Sequence, residues 1–169
     1  MKSNEVTKTR GTYAGMKFDS DSVAKLISFA EDNDIPKILS ANEFHTTLLY
    51  SRKYLPNYEP IGMLDEPLEA SAMNFEIWDS PANAFKDEAT RCLILKMECP
   101  EQVQRFNFLM DEHGASYDYD EYIPHTTLSY DVGDDFKLDS IQTDLSELNP
   151  LYFVEEYSEI LDLDKTYDK

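Results

Sequence analysis

The chain has 169 residues, of which 41% are hydrophobic and 12% aromatic, enough for one domain with a real core. Its 34 acidic residues outweigh 15 basic ones, for a formal net charge of −19. Such a surface repels long nucleic acid and anionic membranes, so a phosphate-bearing partner would have to be small and met by local positive charge.

Residues 1–11 are polar and charged and read as a mobile lead-in with no apolar signal core. From Thr12 to Phe18 the chain alternates, with Ala14, Met16 and Phe18 on one face and Tyr13, Gly15 and Lys17 on the other, which predicts a strand. Asp19 to Asp21 offers helix caps. Val23, Leu26, Ile27 and Ala30 then recur at helical spacing until Asn33-Asp34-Ile35-Pro36 ends the run. Residues 51–67, rich in proline and tyrosine, predict a long connection or flap. Leu68 to Asp79 predicts one or two strands, with Trp78 on the side away from Phe75 and Ile77, followed by a turn at Ser80-Pro81-Ala82-Asn83. Arg91 to Met97 predicts a buried strand. The next helix starts at Pro100, carries Val103, Phe106, Leu109, Met110 and His113 as its stripe, and stops at Gly114. His113 there suits the helix dipole and is assigned no chemistry. Tyr117 to Tyr122 reads as a loop, Ile141 to Leu148 as a short helix at best, Leu151 to Leu163 as a last strand, and 164–169 as a solvated tail. Residues 12–163 thus form one domain. Cys92 and Cys99 lie on opposite faces of an apolar run, which disfavours a disulfide between them. With no stretch of membrane-span length, a reduced, cytoplasmic protein is expected.

Two of the three histidines open the same tetrapeptide, His45-Thr46-Thr47-Leu48 and His125-Thr126-Thr127-Leu128. In an extended chain His45 and Thr47 share one face, about 7 Å apart, and so do His125 and Thr127. One imidazole can take a proton while the other gives one, and the hydroxyls can hold phosphate oxygens between them. The surroundings repeat as well. A strand and a helix precede each motif, with Lys17 lying 28 residues before His45 and Lys96 lying 29 before His125. Two strand–helix–strand units of matched length can face each other across a cleft. No His-Glu-x-x-His or EF-hand spacing is present, so no metal and no other cofactor is expected.

Two His-x-Thr motifs, each after a strand–helix arm, resemble the two-histidine phosphoesterase superfamily over residues 12 to about 163. A narrower resemblance, to the phage anti-CBASS phosphodiesterases, rests on Thr12-Tyr13-Ala14-Gly15-Met16-Lys17-Phe18, Ile35-Pro36 and the run Leu49-Tyr50-Ser51-Arg52-Lys53 after the first motif. The resemblance implies an enzyme that degrades the cyclic oligonucleotides bacteria make as antiphage alarms, without metal, with His45, Thr47, His125 and Thr127 as its catalytic four. It places Tyr13 and Trp78 at positions that hold a nucleobase. From the residues alone, each aromatic serves equally as a packing group. Lys17, Arg52 and Lys53 are the bases available to supply local positive charge.

The expected fold is therefore α+β, with two pseudo-symmetric lobes, each a small mainly antiparallel sheet with an outer helix, and the histidines in the cleft between them. The expected activity is cleavage of 3′–5′ bonds in cyclic di- or trinucleotides, in the host cytoplasm if phage-encoded, with no obligate protein partner. The rivals are opening of 2′,3′-cyclic phosphates on RNA ends or small nucleotides, and capture of a signal by an acidic protein that does not cut it. Which histidine is acid and which is base does not follow from the sequence.

Overall fold

The computed structural model describes residues 9–82 and 87–163. Most of the expected lead-in, the tail and Asn83 lie outside them. Six strands, β1 (Arg10–Phe18), β2 (His45–Ser51), β3 (Gly62–Ser80), β4 (Thr90–Glu98), β5 (His125–Ser129) and β6 (Leu151–Asp162), and two helices, α1 (Ser20–Asp32) and α2 (Pro100–His113), make up an α+β fold. All the strand pairings are antiparallel, and the strands join in one closed sheet in the order β1-β2-β5-β4-β3-β6. Two separate small sheets were expected. The arms are joined instead, on one side by β2 against β5 and on the other by β6, which pairs with both β1 and β3.

The helices form where the local signals place them. The Asp19 carboxylate accepts from the Ser22 backbone N–H at 2.8 Å and caps α1. Leu26, Phe29 and Ala30 are buried from its stripe, and the Phe29 ring stacks on Phe75 of β3 at 4.9 Å. Helix α2 has Pro100 in its first turn and ends at Gly114, whose φ of 69° is the left-handed cap that glycine adopts most easily. Its Phe106 and Leu109 are buried, and Phe106 stacks on Tyr122 at 4.0 Å. One contiguous core runs through Met16, Leu48, Leu93, Leu95, Met97, Leu128 and Phe153. Each such side chain contributes about 1.5–3 kcal/mol on burial. Cys92 and Cys99 are buried and form no disulfide.

One segment departs from the expectation. The stretch 51–67 does not behave as a flap. Its last six residues already belong to β3, a single long strand. The remainder is pinned down: Leu55 and Tyr58 are buried, the Leu55 backbone N–H donates to Thr12 Oγ1 at 2.9 Å, and the Tyr58 hydroxyl donates to Glu156 at 2.7 Å. Ile141 to Leu148, expected as a short helix at best, holds a 3-10 turn at Leu145–Leu148, capped by Asp144.

Glu156 of β6 is fully buried, and Arg105 of α2 meets it with two hydrogen bonds, at 2.9 and 3.0 Å. The Ile61 backbone N–H adds a further contact at 3.2 Å. One carboxylate thereby ties a helix, the 52–61 connection and a strand together. Replacing one partner of a buried ion pair strands the other charge in a low-dielectric site. Arg105→Met should therefore lower unfolding stability by about 3–5 kcal/mol, read as a shift in urea midpoint at unchanged slope. A midpoint at the wild-type value would show that the pair holds nothing together.

Candidate active site

The register brings the two motifs into one site. Lys17 of β1 is the Cα partner of His45, and Lys96 of β4 is the Cα partner of His125. Directly opposed residues of an antiparallel pair project to the same face, so each imidazole has an ammonium as its cross-strand neighbour. Strands β2 and β5 then pair with each other at Thr46 and Thr126. These two threonines and Leu48 and Leu128 are buried, while His45, Thr47, His125 and Thr127 turn the other way and remain half-exposed. The Thr126 hydroxyl donates to the His45 carbonyl at 2.7 Å and locks one motif strand to the other. Gln102 of α2 anchors the same seam by donating to Thr46 Oγ1 at 3.1 Å.

Both histidines are oriented in the same way. His45 Nδ1 lies 2.8 Å from the Glu43 carbonyl, and His125 Nδ1 lies 3.0 Å from the Ile123 carbonyl. A carbonyl can only accept, so each Nδ1 carries the proton and each Nε2 has its lone pair available. The threonines are matched too. The Tyr13 hydroxyl is 3.1 Å from Thr47 Oγ1, and Tyr130 is the tyrosine beside Thr127. Burial, before any other cause, pushes both phenols above their ordinary value, so they stay protonated.

Aromatic rings flank each imidazole. The Tyr13 ring meets His45 edge-on at 6.4 Å, and the Trp78 ring lies 4.7 Å from His125. Trp78 is 39% exposed, so part of the indole is open to solvent. A cavity of about 370 Å³ beside His45 is lined by Lys17, Asn42, Glu43, Tyr130, Tyr157 and Glu159. The Lys17 ammonium sits over the Tyr157 ring, 5.2 Å from its centroid. Tyr157 can lie there because its β1 partner is Gly15: a Cβ at that position would fall 2.6 Å from the tyrosine hydroxyl. Arg52 is not brought to the histidines. It follows the far end of β2, about 20 Å along the strand from His45, and its guanidinium pairs with Asp118 at 3.0 Å. Among the described residues, no three His, Cys, Asp or Glu side chains cluster as a metal-ligand set, and no helix is long and apolar enough to cross a membrane.

The family model for anti-CBASS protein Acb1 matches residues 10–168. The chain belongs to the Acb1 family. Among its relatives, anti-CBASS protein Acb1 of Vibrio phage KVP40 is 29% identical over 164 residues, covering 97% of this chain and 96% of the relative. The Escherichia phage RB16 protein of the same name is 32% identical over 158 residues, covering 94% and 84%. That of Enterobacteria phage T4 is 29% identical over 126 residues, covering 73% and 74%.

In this Acb1 family member several residues at the site were not singled out from the sequence: Glu76, Tyr130 and Tyr157. Tyr130 follows the second motif at the same spacing as Tyr50 follows the first, five residues after the histidine. Tyr157 lies on a strand whose partners are far off in sequence, and Glu76 is one of many acids in the chain until the β3–β4 pairing brings Lys96 to it. His125 is held below the ordinary histidine value of 6.5, first by burial and then by the positive charges of His45 and Lys96. The folded state thus resists protonation there. Stability is unaffected above pH 6.5 and falls as the pH drops below it, where the unfolded chain binds the proton more readily. The sole tryptophan reports on this ring, because an imidazolium quenches an adjacent indole. Trp78 emission should fall on acidification with a midpoint below 6.5, and His125→Ala should remove the step. A midpoint at or above that value would contradict the burial of His125.

Proposed function

We propose that this chain is a metal-independent phosphodiesterase of the two-histidine class, with a pseudo-twofold, two-armed active site that cleaves 3′–5′ bonds in cyclic di- or trinucleotides. Acting in the host cytoplasm, it would remove the signal on which bacterial CBASS defence depends, as the anti-CBASS name of its phage relatives suggests. The observation that carries this reading is the equivalence of the two motifs in space. Each has an Nδ1–H bound to a main-chain carbonyl two residues back, an available Nε2, a threonine on the same face and a lysine opposite.

The chemistry follows from that equivalence. His125, which burial keeps neutral, removes the proton of the ribose 2′-OH through Nε2. The 2′ oxygen attacks the adjacent phosphorus and the bond to the 5′ oxygen breaks. His45, as the acid of the pair, gives a proton from Nε2 to that oxygen, and the product carries a 2′,3′-cyclic phosphate. Thr47, oriented by Tyr13, and Thr127 donate to the phosphate oxygens on which charge gathers. Tyr13 and Trp78 stack on bases, worth about 1–3 kcal/mol each. Lys17 offers a local cation in an otherwise acidic surface. A cavity of about 370 Å³ suits a small nucleotide more than a polymer.

The test is turnover of a cyclic dinucleotide by single and double variants. His45→Ala and His125→Ala should each lose about 10²–10⁴-fold in kcat and retain ligand binding. The double variant should be little worse, because the two rings act as one unit. Full activity in either single variant would remove that ring from the mechanism. Opening of a 2′,3′-cyclic phosphate supplied as substrate while the cyclic dinucleotide stays intact, or binding with no turnover by the intact protein, would favour the rival readings.

A second outcome concerns metal. Because two imidazoles supply both proton transfers, activity should survive exhaustive EDTA treatment. Loss that one divalent ion restores would show that a metal activates the nucleophile.

A further inference from the structure

The two arms match in backbone register but differ in what surrounds the lysine. In the second arm Lys96 pairs with Asn74 of β3 on one side and His125 of β5 on the other. Its Nζ donates to Glu76 Oε2 at 3.1 Å, and Asn74 Nδ2 donates to the same oxygen at 3.1 Å. The other carboxylate oxygen, Oε1, accepts the Trp78 Nε1–H at 2.8 Å. Asn74, Glu76 and Trp78 alternate along β3, so they share a face. In the first arm the equivalent ammonium, that of Lys17, rests over the Tyr157 ring instead.

We infer that Glu76 is a positioning residue of the second arm, holding the Trp78 indole and the Lys96 ammonium around His125 and so making the two histidines unequal. This rests on the phosphodiesterase reading only for its consequence in turnover; the contacts stand without it. One end of the carboxylate fixes the plane of the indole, which sets the ring against His125 and leaves its outer face for a base. The other end holds the ammonium and offsets part of its charge. The charged and titratable groups facing His125 among the described residues are Lys96 from β4, His45 from β2 and, through Lys96 and Trp78, Glu76 from β3. Trp78 and Lys96 are also the two largest causes holding the Glu76 carboxyl below its ordinary range, so it is ionised at neutral pH.

The consequence has a sign. Glu76→Gln keeps an oxygen for the indole N–H but removes the charge that offsets Lys96. The unshielded ammonium then makes His125 harder to protonate. Lys96→Met removes the ammonium and makes His125 easier to protonate. In the otherwise intact protein, the acid quench of Trp78 should move to lower pH in Glu76→Gln and to higher pH in Lys96→Met, each by about half a unit. Glu76→Ala, which releases the indole, should also reduce the amplitude of the quench. A purely structural role gives no reason for opposite shifts, and the two charge variants carry the test separately. Unmoved midpoints in both, or shifts in the same direction, would overturn the inference. The readout needs no substrate, so failure of the phosphodiesterase reading shows itself separately, as full turnover in the histidine variants.

Discussion

The contact of β2 with β5 is what the rest of the site depends on. At this seam two copies of one tetrapeptide lie side by side, with Thr46 opposite Thr126 and the Thr126 hydroxyl on the His45 carbonyl. The inward threonines use their hydroxyls to satisfy the seam, and Gln102 reaches in from α2 to complete it. A buried hydroxyl without a partner costs about 1–3 kcal/mol, so these contacts fix how the strands meet. With the seam fixed, the alternation of a strand does the rest: what is not turned inward at 46 and 126 is turned outward at 45, 47, 125 and 127.

Around that seam the arms are alike in backbone and unlike in charge. The likeness comes from matched lengths. The spacings of 28 residues from Lys17 to His45 and 29 from Lys96 to His125 each close an antiparallel pair with a helix folded across it, and both lysines land opposite their histidines. The unlikeness comes from β3 and β6. Strand β3 brings Glu76 and Trp78 to the second arm, and β6 brings Tyr157 and Glu159 to the first. An approximately symmetric frame thus carries two imidazoles in unlike surroundings, which suits the acid–base roles proposed for them.

Much of this was legible in the sequence because it is local. The helix caps at Asp19 and Gly114, the apolar stripes, the alternation of β1 and the repeat itself are written within windows of a few dozen residues. That the two histidines and two threonines share a face was legible for the same reason. From the residues alone, Tyr13 and Trp78 read equally as packing groups, and it is the fold that sets their rings beside His45 and His125. What was not legible is long-range. Periodicity does not say that β6 closes the sheet onto both β1 and β3, which is why two separate sheets were expected. In a chain with 34 acids, nothing local distinguishes the buried Glu156 or the bridging Glu76 from the solvated remainder. Arg52 looked available beside the first motif until the fold brought Asp118, 66 residues away, to its guanidinium.

The central claim is that two imidazoles act on a phosphodiester by way of the neighbouring ribose hydroxyl. It is tested most directly by product analysis on matched cyclic dinucleotides that differ only at the 2′ positions. The account predicts that the ribose ring with 3′–5′ linkages is opened to a product bearing a 2′,3′-cyclic phosphate. The 2′-deoxy ring should bind and stay intact, and a 2′–5′ linkage should survive beside a 3′–5′ one. Comparable cleavage of the deoxy ring would contradict attack by the 2′-OH and leave water as the nucleophile.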